Sequence, residues 1–366
     1  MFSKTKEYID SLVNKKGIPY FDIGVMKDGL PVFRYLSGDG REELTGKERL
    51  LLYSASKPMT VALAMRLIEE KKLSLEDKVK DYLPEYANVY LLDEKGNKIP
   101  PKRDITILHL LTMTAGLTYD YKNYPIEERV KSLGGDASTR EVVNSFTVRP
   151  LAFHPGEDRR YSLCHDVLGA VIEVVSGKKL GEYLDEVIVK PLGLKNTGFC
   201  CYDKACALYE SKDGSVKKVE KDLWMNFSPS YQSGGAGLTS TVDDYLLFAG
   251  ALANRGSVNG YRLLTEESVN AIKKERVKNF SVDIKFTCVQ GSDYGYGLGV
   301  RTRTKGTSWG LPQEEFGWDG AAGSYLMVDT ENNVAIFMGM QILNWPEVFR
   351  GEHLKIVEQV YSDLLK

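Results

Sequence analysis

Residues 50–68 open with Leu50-Leu51-Leu52-Tyr53-Ser54-Ala55-Ser56-Lys57-Pro58 and run on from Met59 to Ile68. In the second part Val61, Ala62, Ala64, Met65, Leu67 and Ile68 cover most of a helix surface. The pattern predicts a helix over Met59–Lys72 that is buried all round rather than on one side. Pro58 fits its first turn, where a missing N–H costs little. Just ahead, Ser54 and Lys57 stand three residues apart, a spacing that puts both side chains on one face of a helical turn. A lysine stripped of its proton by burial can accept the hydroxyl proton and create a nucleophile. The pattern alone is common, since Ser3…Lys6, Ser176…Lys179 and Ser215…Lys218 repeat it. Only Ser54 opens an apolar helix, and by itself it also reads as an N-cap serine.

Working outward, the chain has 366 residues, against roughly 100–200 per domain, so one large domain or two intimate ones are expected. The 48 Lys+Arg and 50 Asp+Glu leave a net charge of -2, which excludes nucleic-acid binding driven by basic excess. A hydrophobic share of 43% with 27% charged residues is that of a folded, soluble protein. No apolar run is long enough to span a bilayer, and the first residues lack a signal-peptide core, so a cytoplasmic address is expected. Cys164, Cys200, Cys201, Cys206 and Cys288 form no CxxC pair and read as reduced thiols. His109, His154, His165 and His353 form no metal-binding pair, so neither a metal nor a cofactor is expected.

The remaining pattern is mixed. A helix over residues 4–14 precedes a hairpin from Phe21 to Leu36 that turns at Asp28-Gly29. Helices are expected over Ile107–Thr114, Asp166–Val175, Leu180–Val189 and Asp243–Ala253. Strands follow at Tyr294–Val300, Ser324–Val328 and Val334–Gln341. The end, Glu347–Leu365, reads as an amphipathic helix with Leu354, Val357, Val360, Tyr361 and Leu364 on one side. These elements predict an α+β fold, an antiparallel sheet flanked by the N- and C-terminal helices with a large helical subdomain. Residues 1–60 and 238–366 would form the sheet unit and 61–237 the helical one, with the cleft between them.

Further segments stand in a consistent order: Leu110-Leu111-Thr112-Met113-Thr114-Ala115-Gly116-Leu117, then the turn His154-Pro155-Gly156 leading to Tyr161-Ser162-Leu163. Gly234-Gly235-Ala236-Gly237-Leu238, Tyr294–Gly299 and Phe316-Gly317-Trp318-Asp319-Gly320 come after. With Ser54…Lys57 they resemble the serine β-lactamase/penicillin-binding-protein superfamily, its class C-like branch, and most of all its family VIII carboxylesterases. The resemblance runs from about residue 20 to 340 and implies a β-lactamase/transpeptidase-like fold. It implies that Ser54 attacks an acyl carbon and that Lys57 and Tyr161 share general-base duty, with a phenolate persisting beside the ammonium. The oxyanion would sit between the N–H groups of Ser54 and Ala321, and Gly320 would let that strand approach the substrate.

Two positions depart from the lactamase pattern. Leu163 stands where an asparagine is common and cannot hydrogen-bond a substrate amide. Trp318 replaces the usual cation of the third motif, offering a flat apolar wall and one N–H; as a residue by itself it reads equally as packing. Asp120, with Tyr119, Tyr121 and Tyr124, reads either as cleft lining or as loop surface. The expected activity is therefore that of a carboxylesterase or acyltransferase on a small-molecule ester or amide. A β-lactamase or D-Ala-D-Ala carboxypeptidase would need a cation near the third motif, such as Arg301 or Lys305. A catalytically silent sensor module on the same fold has no chemical need of Ser54, Lys57 and Tyr161 together.

Overall fold

The computed structural model describes residues 2–219, 226–277, 293–304, 312–345 and 351–364. Its centre is a seven-stranded sheet, antiparallel at every pairing. In spatial order the strands are Tyr294–Tyr296, Arg301–Arg303, Phe316–Gly317, Tyr325–Asp329, Val334–Gly339, Tyr20–Lys27 and Leu30–Gly38. The hairpin expected at Asp28-Gly29 is present, with φ of 52° and 76° at its two central residues. Both lie in the left-handed region that a tight two-residue hairpin turn requires.

Side chains alternate across the strand Tyr20–Lys27. Phe21, Ile23 and Val25 enter a core with Ile9 and Val13 of the helix Ser3–Lys16 and with Ile356 and Val360 of the helix Glu352–Leu364. The opposite face meets the helix Val242–Ala253, so closely that a Cβ on Gly24 would lie 2.7 Å from Leu246. The two terminal helices are tied by Asp363, which accepts from the Thr5 N–H and hydroxyl at 3.0 and 2.9 Å.

The helical part carries Lys57–Glu69, Ile107–Leu111 and Cys164–Ser176 around one apolar core. Helix Lys57–Glu69 is buried along nearly its whole length, as its sequence predicted. Three expectations need correction. The stretch Tyr294–Val300 is a strand only to Tyr296; Gly297 donates to Val300 O at 2.9 Å and makes the turn into Arg301–Arg303. Helix Leu180–Leu184 passes into a wider turn over Asp185–Val189 before ending at Gly193. In the last helix Val357, Val360 and Tyr361 are buried, but Leu354 and Leu364 only partly so, and Ile356 takes part instead. The start expected at Glu347 lies outside the described residues.

Candidate active site

Ser54 sits in a single 3-10 turn, Tyr53–Ser56, that feeds straight into helix Lys57–Glu69. Tyr53, immediately before it, has φ 47°, a left-handed conformation costing a bulky residue on the order of 1–3 kcal/mol. Contacts on both sides hold the turn in place. Leu52 N–H donates to Leu238 O and Leu238 N–H donates to Ser56 Oγ, each at 3.0 Å. Tyr245 OH donates to Ala55 O at 2.7 Å, and Thr60 Oγ1 donates to Gly234 O at 2.7 Å.

Lys57 is 0% exposed, whereas the lysines of the other three Ser-x-x-Lys pairs are all exposed. Its Nζ lies 3.1 Å from Ser54 Oγ and 3.2 Å from Tyr119 OH, and donates to Gly235 O at 2.7 Å. It also stands 4.6 Å from the centre of the Tyr161 ring. Burial drives the ammonium down from its ordinary value to about 7, with the Asp166 carboxyl pulling in the opposite direction. Asp166 is itself pushed up by burial, while Tyr231 OH (2.6 Å) and Ser233 Oγ donate to it.

Tyr161 joins the same group. Its hydroxyl accepts from Trp318 Nε1 at 3.0 Å and is hydrogen-bonded to Ser54 and Tyr119. Burial nevertheless pushes Tyr161 above the ordinary tyrosine range, outweighing those bonds. Where the resemblance implies a phenolate beside the ammonium, burial instead favours the neutral forms of both Tyr161 and Lys57.

The third-motif strand reaches the same place. A Cβ on Gly320 would fall 2.3 Å from Leu52 O, so only glycine permits this approach. Ser324 Oγ donates to the same carbonyl at 3.3 Å. The turn is closed by Gly320 N–H to Ser324 O at 2.7 Å and Gly323 N–H to Gly320 O at 2.9 Å. Ala321, at its tip, is partly exposed. Among the described residues the N–H groups of Ser54 and Ala321 have no protein acceptor.

The structure brings Ser54, Lys57, Tyr161 and Trp318 into contact and sets Gly320 against Leu52, with Ala321 next along the chain, but two assignments change. Leu163 is 0% exposed in the apolar core, one residue before helix Cys164–Ser176, and is not a cleft residue. Asp120 is exposed just after Tyr119 and accepts from Asn123 Nδ2. Trp318 is 1% exposed and packs edge-on against Tyr296, so it is no open wall; its N–H is committed to Tyr161. Tyr119 and Asp166 were not assigned these contacts from the sequence. The only local signal for Tyr119 is its place just after the Thr112–Leu117 segment. Among the described residues no cluster of His, Cys, Asp or Glu has the makings of a metal site, and no helix is long and apolar enough to cross a membrane.

A family model described as Beta-lactamase matches residues 5–360. The chain belongs to the beta-lactamase family. Within that family it is 30% identical to protein Rv1367c of Mycobacterium tuberculosis (strain ATCC 25618 / H37Rv), over 79% of this chain and 76% of that one. It is 26% identical to esterase EstB of Burkholderia gladioli, over 78% of this chain and 76% of that protein. Among solved structures it shares the fold of EstCE1, described as a hydrolase with promiscuous acyltransferase activity. That match has a TM-score of 0.80 at 24% identity and covers 98% of this chain and 97% of the other. The bond from Trp318 to Tyr161 can be tested by substitution. Trp318→Phe keeps an aromatic ring, though a smaller one, and removes the donor, a loss of about 1–3 kcal/mol for a buried group left unpaired. We expect kcat on p-nitrophenyl acetate to fall roughly tenfold or more with KM little changed. An altered KM with unchanged kcat would place Trp318 in substrate binding instead.

Proposed function

We propose that this protein is a serine hydrolase that forms an acyl-enzyme on Ser54 and acts on small carboxylic esters. The carrying observation is the contact between a fully buried Lys57 and Ser54 Oγ at 3.1 Å. A neutral lysine amine has two N–H donors, and Gly235 O and Tyr119 OH can take both. Its lone pair is then left for the Ser54 hydroxyl proton. As that proton moves to Nζ, Oγ bonds to the acyl carbon, and the carbonyl oxygen becomes an anion facing the N–H groups of Ser54 and Ala321. Tyr161, hydrogen-bonded to Ser54, is placed to pass a proton to the departing alkoxide. Water, or a second alcohol in acyl transfer, then releases the acyl group by the same steps in reverse order.

The esterase reading is favoured over β-lactam or D-Ala-D-Ala cleavage by the absence of a cation at the third motif. Trp318 carries none, and Arg301 is held by Asp319 at 2.6 Å inside the sheet. Lys305 lies outside the described residues. A carboxylate entering the cleft unpaired costs several kcal/mol. We expect p-nitrophenyl esters to exceed a chromogenic cephalosporin by about a hundredfold or more in kcat/KM, at about 1.4 kcal/mol per factor of ten. A panel of esters of increasing chain length beside the cephalosporin tests this. Comparable values on both classes would reverse the assignment.

A further inference from the structure

Asp319 places a carboxylate two residues before Ala321, the oxyanion donor proposed above, yet it is only 3% exposed. Its Oδ1 accepts from Arg301 Nη1 at 2.6 Å. Arg301, 1% exposed, donates from Nη2 to Leu326 O at 2.7 Å and lies 4.2 Å over the Tyr325 ring. Leu326 N–H in turn donates to Trp318 O at 3.0 Å. One guanidinium therefore grips both strands that lead into and out of the Gly320–Gly323 turn. Beyond the turn, Gly323 O lies 3.1 Å from His353 Nε2.

A buried ion pair is weak evidence for stability, because apolar residues of equal volume often serve as well. Its position here gives it another use. We propose that Arg301 is a positioning residue of the acyl-transfer site: through Asp319 it fixes the Trp318–Gly323 turn and cancels a negative charge that would oppose the oxyanion and the charge developing on Tyr161. The inference rests on Ser54 being the nucleophile. It is supported by the influence of Asp319 on Tyr161, which raises the proton affinity of that phenol.

Other titratable groups also face the pair. Glu315, 3.7 Å from Arg301, is pushed up by burial and accepts from Tyr294 OH at 2.7 Å. His353 is held down to about 4 by burial and stays neutral at working pH. On the far side, Asp166 and Cys164 face Lys57, and burial holds Cys164 up at about 12. His165, also beside Lys57, is driven well below its ordinary value by burial. None of these side chains is replaced in the variants below, though Glu315 and His353 each feel both Arg301 and Asp319.

The test uses the full chain with Arg301→Gln, Asp319→Asn and both together, following kcat, KM and the pH profile on p-nitrophenyl acetate beside the thermal midpoint. Arg301→Gln removes the guanidinium paired with Asp319, which favours protonated forms of the Lys57–Tyr161 pair. We expect kcat to fall about tenfold or more with KM little changed, and the acid limb to move up by about half a pH unit. Asp319→Asn keeps an acceptor for Arg301 but removes the negative charge, so the limb moves down. The double variant returns it close to the parent value even where the midpoint stays lowered. Midpoints that fall while the limb stays put in every variant would overturn the proposal, leaving a structural ion pair. Should Arg301→Gln fail to fold, an unmoved limb in Asp319→Asn overturns it as well. A parent chain with neither ester turnover nor a phosphonate adduct on Ser54 fails the nucleophile reading itself, and the proposal falls with it.

Discussion

Replacing Ser54 by alanine is expected to abolish ester turnover, by about four orders of magnitude or more, while the protein stays folded. The hydroxyl is partly exposed and makes no cap bond for the helix that follows, so stability should change by no more than about 0.5–2 kcal/mol, the upper range for a lost cap. The chemical loss is large because neither neighbouring serine is free to take its place. Ser56 is 0% exposed and accepts from the Leu238 N–H at 3.0 Å. Ser162 is equally buried and bonded to Cys164 at 3.0 Å. Mass spectrometry after treatment with a phosphonate ester should find one adduct, on Ser54, and none in the Ser54→Ala protein. An adduct on Ser56 or Ser162 would refute the assignment.

Loss of Lys57 should rank second. Lys57→Met keeps the volume of the side chain while removing the amine that takes the Ser54 proton, and a positioned general base is worth roughly 10²–10⁴ in rate. Stability should change little, because the variant no longer holds a desolvated amine but leaves Gly235 O without its donor. The same residue sets the pH dependence. Its pKa of about 7 means that the amine is neutral and competent above that pH. Below it, protonation fills the lone pair, so kcat/KM of the unaltered protein should fall about tenfold per unit on the acid side. Residual activity of Lys57→Met should lack this limb. A limb near pH 7 that survives the substitution would show that another group is the base.

The legible part of the site was its local chemistry. Ser54 and Lys57 announce themselves by a three-residue spacing in front of an apolar helix, and Gly320 by its place in a motif. What stayed hidden depends on distant chain. Lys57 is held as it is because Gly235 and Tyr119 lie against it, 178 and 62 residues away. The Trp318 N–H serves Tyr161, 157 residues away, rather than substrate. Leu163 is turned into the core for the same reason: a motif gives a position along the chain, not the direction in which its side chain points once neighbouring elements pack.

By itself the sequence determined the elements whose causes are short-range. The hairpin at Asp28-Gly29 follows from two residues tolerant of left-handed φ, and the burial of helix Lys57–Glu69 from an apolar surface all round. Order of motifs along the chain was enough to point to the family. Tertiary structure alone supplied the partners: Gly235 and Tyr119 against Lys57, Trp318 against Tyr161, and Asp319 on Arg301 in place of a substrate carboxylate. Burial and Coulomb terms are set by groups brought together in space from distant parts of the chain, and no local pattern in one sequence encodes the distances on which they depend.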